Sequence, residues 1–394
     1  MCIYCGVQEI KLNNNLMVCT IIRLTVSLIW TMDLDKLLKS MKEQSASDMH
    51  LRAMSPPILR IEGKLFHTDN PSLSIEEIDT IAYSIMNDIQ KKKFQHHHSI
   101  DTSYSIPGVG RFRLNIYRQR GTTSLIFRNI PFTIPTVESL GLPQIIKSFC
   151  NKPQGLILVT GPTGCGKSST LAAMTEVINE TRNLHIVTIE DPIEFLFKNK
   201  NSIITQREVG IDTPSFSHAL KDALRQDPDL ILIGEMRDIE TTTIALNAAE
   251  TGHFILSTMH SNNTYEAVSR IIDIFPNDQQ NQIKIQLSNV LVGAISQRLL
   301  NRADGRGRIP AVEILIGTPA IRKMIAYSQY KDILEQIEKS VIHYGMQSLE
   351  QSLLALLANK MITLDEARSS TLRQGELDLM REQLGISEEG EVLF

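Results

Sequence analysis

At 394 residues the chain is long for one domain and comfortable for two. It is 42% hydrophobic and 21% charged, an ordinary globular make-up with enough apolar residues for a sizeable core, and its net charge of -4 excludes a global basic field for nucleic acid. Five cysteines (Cys2, Cys5, Cys19, Cys150, Cys165) form no secreted-type framework and fit a reducing cytoplasm.

Residues 1–31 read differently from the rest. Cys2-x-x-Cys5 has no second pair beside it, as a structural zinc site would need. The apolar run from Leu16 to Met32 is short for a membrane span and carries Arg23 near its middle, so no transmembrane span is expected. The segment is read as an upstream extension outside the working protein, with Met32 the start of translation.

Residues 32–128 form an expected small α+β domain. A helix is predicted over Asp33 to Met41 and a strand over Ile58 to Ile61. Ser74-x-x-Glu77 is a capping box opening a helix with Ile78, Ile81, Ile85 and Ile89 on one face. His96, His97 and His98 read as a solvated loop rather than a metal site. Arg111-Phe112-Arg113-Leu114-Asn115-Ile116 alternates strictly, which puts Arg111 and Arg113 on the polar face of one strand. That face is either simply solvated or built for an anion. Residues 129–143 carry Pro131, Pro135 and Pro143 and read as a linker.

Residues 144–345 alternate strand and helix, with strands expected at 155–160, 184–189, 229–233, 254–258 and 312–316. The helix of Phe216, Leu220 and Leu224 is capped in this reading by Thr213 with Pro214 first. An amphipathic stretch runs over 277–300. Residues 346–394 are read as C-terminal helices with a polar, acidic tail, and Thr363-x-x-Glu366 is a further capping box. The alternation predicts a parallel sheet between helices.

The first of these strands ends in Gly161-Pro162-Thr163-Gly164-Cys165-Gly166-Lys167-Ser168, with Ser169 next, a full match to G-x-x-x-x-G-K-[ST]. Its glycines let backbone N–H groups converge on phosphate oxygens at a helix N-terminus. Lys167 can reach the β- and γ-phosphates of ATP, and Ser168 can bind Mg²⁺. The strand Leu230 to Ile233 ends in Gly234-Glu235, a Walker B arrangement in which Glu235 holds Mg²⁺ through water. Glu190, Asp191 and Glu194 follow another strand, and one of them should orient the attacking water. His253 and His260 bracket the strand 254–258; an imidazole there could sense the γ-phosphate or serve structure alone.

Taken in order, TGPTGCGKSSTLAA, IEDPIEF, QREVG, LRQDPDLILIGEMRD, AAETGH and TMHSNN resemble the type II/IV secretion ATPase superfamily, and within it the PilT-type pilus retraction motors. Ala46-Ser47-Asp48-Met49-His50 and Gly317-Thr318-Pro319-Ala320-Ile321-Arg322 extend the resemblance from Met32 to about residue 372. It implies an α/β chain with a PAS-like N-terminal domain, a RecA-like P-loop ATPase domain and a homo-hexameric ring. It also implies ATP and Mg²⁺ as cofactors and a cytoplasmic place at the periphery of the inner membrane. The implied partners are a pilus platform protein in that membrane and other pilus motor ATPases. By it, Glu194 aligns with the catalytic glutamate, Glu235 with Walker B, His253 with the histidine motif, and Arg111, Arg113 and Arg128 with nucleotide-contacting arginines. Cys165 departs from the usual serine or glycine, but the loop works through its backbone. Lys323 and the residues after it, Met324 to Tyr327, depart from the retraction motors, and residues 1–31 have no counterpart.

The leading expectation is an ATP-hydrolysing motor for pilus retraction. A type IVB or type II secretion ATPase is the sibling alternative, although no cysteine follows Cys165 to build the late four-cysteine zinc module of type II and assembly ATPases. A RecA-like nucleic-acid translocase would share the core, but the chain lacks a basic, aromatic-rich tract, so no nucleic-acid partner is expected. A nucleotide switch with negligible turnover is a third class.

Overall fold

The structure, a computed structural model, describes residues 33–130 and 133–392. The expectations for residues 1–31, including Cys2-x-x-Cys5 and a start at Met32, lie outside the described residues. The chain divides into two compact units, one ending at Asn129 and one beginning at Ile130.

The first unit opens with α1 (Leu34–Glu43), where the Asp33 carboxylate accepts from the backbone N–H of Asp35 and Lys36. Strands β1 (Asp48–Arg52), β2 (Ile58–Ile61) and β3 (Lys64–His67) follow, then helices α2 (Ile75–Ile85) and α3 (Asp88–His97). Strands β4 (Ser99–Ile106), β5 (Gly110–Gln119) and β6 (Thr122–Asn129) complete a six-stranded antiparallel sheet in the order β3-β2-β1-β6-β5-β4. The capping box closes reciprocally: Glu77 N–H donates to Ser74 Oγ at 3.1 Å and Ser74 N–H to Glu77 at 2.7 Å. Because α2 stops at Ile85, Ile89 falls in α3 and is exposed, not on the buried face with Ile78 and Ile81. His96 and His97 end α3, and His98 caps it in the left-handed region at φ 59°, so the three histidines terminate a helix instead of forming a loop.

Alternation along β5 buries Phe112, Leu114 and Ile116 against Met49, Leu51, Leu125, Phe127, Leu38 and Ile78. Each such side chain contributes about 1.5–3 kcal/mol on leaving water. Arg111, Arg113 and Asn115 necessarily take the other face.

The second unit begins with α4 (Ile145–Cys150). Val137 and Leu142, in the stretch read as a linker, are buried in its core. There follow β7 (Gly155–Thr160), α5 (Lys167–Thr181), β8 (His185–Glu190), β9 (Ile203–Glu208), α6 (Phe216–Ala223), β10 (Leu230–Ile233), α7 (Ile239–Glu250), β11 (Phe254–Met259), α8 (Thr264–Asp273), α9 (Asn277–Val290), β12 (Leu291–Asn301) and β13 (Arg308–Ile316). The sheet order is β13-β12-β7-β11-β10-β8-β9, parallel except for β13. Two strands, β11 and β10, therefore stand between β7 and its successor β8, the arrangement of a RecA-like P-loop domain.

Helices cover both faces. Leu156, Leu158, Ile231 and Ile233 pack on one side, while Ile157, Val159, Leu230 and Leu232 pack on the other. Burial on both faces is why these strands read as unbroken apolar runs.

Three readings change. The cap of α6 is Ser215, whose hydroxyl accepts from His218 N–H, two residues beyond the expected Thr213. The 277–300 stretch is a helix only to Val290, where it passes directly into β12. At the Thr363 cap, Glu366 turns its carboxylate to Asn301 N–H at 2.7 Å and leaves the box half made.

Helices α10 (Pro319–Ala326), α11 (Tyr330–Lys339), α12 (Val341–Tyr344), α13 (Leu349–Ala358), α14 (Leu364–Ser369) and α15 (Gln374–Gln383) end the chain. Leu353, Leu357 and Leu377 pack with Leu300 and Ala311 in one core, and Arg373 bridges Glu338 and the buried Glu350 at 3.0 Å each. That buried carboxylate is tolerable because it is paired.

Candidate nucleotide-binding site

The register of the parallel strands brings their C-terminal ends to one edge. Thr160 pairs with Met259, Ile233 with Ser257, and Ile189 with Ile233. The chain therefore delivers the glycine loop after β7, His260 after β11, Glu235 after β10, and Glu190 to Glu194 at the end of β8, all to the same edge. Ligands in open parallel sheets bind at that edge.

Gly166, at φ 94°, caps α5 without any side chain, so the first-turn N–H groups of Lys167, Ser168 and Ser169 face out of the helix end. Gly161 lies at φ 140°, and a Cβ there would sit 2.4 Å from the Gln297 carbonyl oxygen and 2.6 Å from Cys165 Sγ. Only glycine fits. Burial pushes the Cys165 thiol above its ordinary range, so it packs as a neutral group under the loop.

Lys167 Nζ donates to the carbonyls of Gly161 and Pro162 at 2.9 and 3.0 Å and lies 3.4 Å from His260 Nδ1. The other ring nitrogen, Nε2, is 3.4 Å from Glu235 Oε1, and Arg237 Nη2 lies 2.6 Å from Glu235 Oε2. The pairing with Glu235 raises the Arg237 pKa further. Lys167, His260, Glu235 and Arg237 thus form a continuous polar chain across three strand ends. Ser168, at the end of the loop, and Glu235, on the same edge, are a hydroxyl and a carboxylate that could hold a nucleotide-borne Mg²⁺, an ion that takes most of its ligands from phosphate and water.

The three carboxylates after β8 differ. Glu190 is partly buried and accepts from Thr188 Oγ1 at 2.7 Å, Gln206 Nε2 at 3.2 Å and Glu194 N–H at 3.4 Å. Burial raises its pKa despite those hydrogen bonds. Glu194 is exposed on the segment beyond. Gln206 and the buried Glu208, both on β9, tie down that segment by accepting from Phe197 N–H and Ile193 N–H at 3.0 Å.

His253 lies elsewhere. It precedes β11, its carbonyl accepts from Gly155 N–H at 3.0 Å, and its ring Nδ1 contacts the Ala248 carbonyl at 3.0 Å. It occupies the N-terminal edge of the sheet, a full strand from the loop, and the imidazole beside the lysine is that of His260. The direction of a parallel strand could have told the two apart. Gln206 and Glu208 fall within QREVG and Arg237 within LRQDPDLILIGEMRD, stretches that carry the resemblance, but sequence reasoning gave none of the three a role.

The arginines of the first unit share one sheet face. Arg113 and Arg128 are cross-strand partners. Arg128 Nε donates to Asp48 Oδ1 at 2.8 Å, Arg113 pairs with Asp101 at 3.7 Å, and Arg111 donates to Ser103 and Ser105 at 2.7 and 3.3 Å. Burial works against the Asp48 carboxylate, but hydrogen bonds from Arg128 and Ser47 prevail and hold it below its usual range.

A glycine loop opening a helix, with an acidic strand end two strands away, defines a P-loop nucleotide-binding protein. Its family is also shown. Residues 29–356 match the family described as "Type II/IV secretion system protein", and the chain belongs to it. Over 337 residues, 86% of this chain and 97% of the relative, it is 43% identical to the "Type IV pilus retractation ATPase PilT" of Pseudomonas aeruginosa. It is 42% identical over 332 residues to a "Twitching motility protein" of Neisseria gonorrhoeae, covering 84% of this chain and 88% of that one. A crystal structure of the pilus retraction motor PilT with bound ADP superposes with a TM-score of 0.80 at 44% identity, over 88% of this chain and 98% of that one. The Legionella pneumophila ATPase DotB superposes with a TM-score of 0.77 at 26% identity, over 85% and 94%.

Proposed function

We propose that this chain is an ATP-hydrolysing motor that powers type IV pilus retraction. The observation that carries the reading is the convergence of Lys167, His260, Glu235 and Arg237 on one sheet edge, in a chain 43% identical to a pilus retraction ATPase over 97% of that relative's length. In this reading the loop from Gly161 to Ser169 binds ATP, and Ser168 and Glu235 hold Mg²⁺, Glu235 through water. The metal supplies charge neutralisation on the transferring phosphate. Glu194 orients the attacking water.

The working form is a homo-hexameric ring at the periphery of the inner membrane, in contact with a pilus platform protein and with other pilus motor ATPases. Among the described residues no helix is long and apolar enough to cross a membrane. Arg111, Arg113 and Arg128 supply positive charge to the nucleotide of a neighbouring chain, which makes turnover depend on ring movement. Arginine suits that task because its planar fork binds phosphate in two places and never deprotonates.

The test is complementation. A strain lacking this chain should lose surface twitching while still displaying pili, and Lys167→Ala should not restore it. Normal twitching without the chain, or loss of a secreted protein in place of pilus retraction, would contradict the assignment.

A further inference from the structure

A phosphate loop faces two ways. Its N–H groups must turn toward the ligand, so the carbonyls on the same peptide planes must turn inward and find donors there. In a trans peptide the C=O of Cys165 and the N–H of Gly166 point in opposite directions. Whatever holds the Cys165 carbonyl therefore aims the Gly166 N–H.

That donor is Gln297, near the middle of β12. Its side chain is buried, and Nε2 donates to the Cys165 carbonyl at 2.6 Å. Its Oε1 accepts from the hydroxyl of Thr170, also buried, on the first turns of α5, at 2.9 Å. The Cys165 carbonyl can only accept, so the amide must turn its nitrogen to the loop, and the Thr170 hydroxyl, donating to Oε1, holds the amide from the other side. The Gln297 main-chain oxygen is the atom against which Gly161 packs, and Nε2 lies 3.0 Å from where a Cβ on Gly166 would stand. Both ends of the loop therefore rest on one residue, 132 positions from Cys165 in sequence.

We infer that Gln297, with Thr170, is a positioning residue that holds the Cys165–Gly166 peptide in its phosphate-binding orientation. Without the amide, the buried carbonyl is left unpaired unless the peptide rotates, and rotation carries the Gly166 N–H away from the phosphate. The inference rests on the reading of this loop as a nucleotide site.

Gln297→Met keeps length and volume while removing donor and acceptor. Thr170→Val removes the hydroxyl that holds the amide oxygen, and Thr170→Ser retains it. Binding of a fluorescent ADP is measured on the full chain, with thermal midpoint, assembly state, and KM and kcat for ATP; Lys167→Ala marks the loss of the phosphate site. Gln297→Met should weaken ADP by about tenfold to a hundredfold and raise KM more than it lowers kcat, with assembly retained. Thr170→Val should weaken ADP by roughly threefold to tenfold, and Thr170→Ser should match the parent. If Gln297→Met does not fold, the Thr170 pair decides. A folded Gln297→Met with parental affinity, or two Thr170 variants that bind alike, would overturn the inference and leave the nucleotide reading intact. A parent that binds ADP no better than Lys167→Ala would overturn both.

Discussion

Lys167 Nζ lies 3.4 Å from Nδ1 of His260, the residue that follows β11, and the same imidazole reaches Glu235 through its other nitrogen. One ring thus joins the lysine of the phosphate loop to the carboxylate of the Walker B strand. His260→Ala should lower kcat about a hundredfold, the usual cost of removing one preorganised group at a reacting phosphate, and alter nucleotide affinity little. His253→Ala, at the far edge of the sheet, should leave kcat near the parent value. Steady-state phosphate release from both variants decides between them; the opposite pattern would return the role to His253.

How far this site was legible follows from what each residue does alone. The loop was legible because phosphate binding demands glycines and a lysine at fixed spacing, and Glu235 because a carboxylate after four buried apolar residues has few other uses. The alternation Arg111–Phe112–Arg113 stated its own two faces. Strand β12 was hidden because the periodicity of α9 runs into it without a loop. Its Ser296, Gln297 and Arg298 also look solvent-facing, whereas they donate to the carbonyls of Asn262, Cys165 and Ser370 respectively. Strand β9 was hidden because Gln206 and Glu208 look like surface residues, whereas they fasten the segment that carries Glu194. Pairings of that kind join positions far apart in sequence, and no local pattern encodes them.

Glu190 and Glu194 share a segment but not an environment. Glu194→Gln should bind ATP with near-parental affinity and lower kcat by about 10²–10⁴ through loss of the water-orienting carboxylate. Glu190→Gln keeps the hydrogen-bonding shape around Thr188 and Gln206 and should change kcat by no more than about tenfold. Binding and single-turnover hydrolysis, measured separately, check this. A stalled Glu190→Gln beside an active Glu194→Gln would reverse the assignment.

Buried Glu313 accepts from both the N–H and the hydroxyl of Thr264 at 2.7 and 2.6 Å, anchoring the start of α8 just beyond His260. Burial raises its pKa above the ordinary 4.5, against those two hydrogen bonds, with Glu350 and Arg373 acting on it more weakly and with opposite signs. A raised acid pKa means that the folded state holds its proton longer. The stabilisation is complete below the ordinary carboxylate range and is lost as pH rises through the folded value. The thermal midpoint of the parent should therefore fall relative to Glu313→Gln as pH rises above the ordinary carboxylate range, at roughly 2–4 °C for each kcal/mol in a domain of this size. A difference that stays constant with pH would show that Glu313 is ionised in the fold throughout.

The motor reading depends on the first unit acting on hydrolysis. Arg111 and Arg113 stand on one face of β5, held by Ser103, Ser105 and Asp101 through contacts that a phosphate could replace. The most direct measurement is ATP turnover by the Arg111→Ala/Arg113→Ala double variant of the full chain, with ADP affinity and ring size determined on the same sample. An arginine acting on the γ-phosphate is typically worth about 10³–10⁵ in rate, or roughly 4–7 kcal/mol of barrier. Turnover should fall by about that factor while affinity and ring size hold. Parental turnover in the double variant would reduce both arginines to solvated side chains and remove the coupling between hydrolysis and movement on which the proposed function rests.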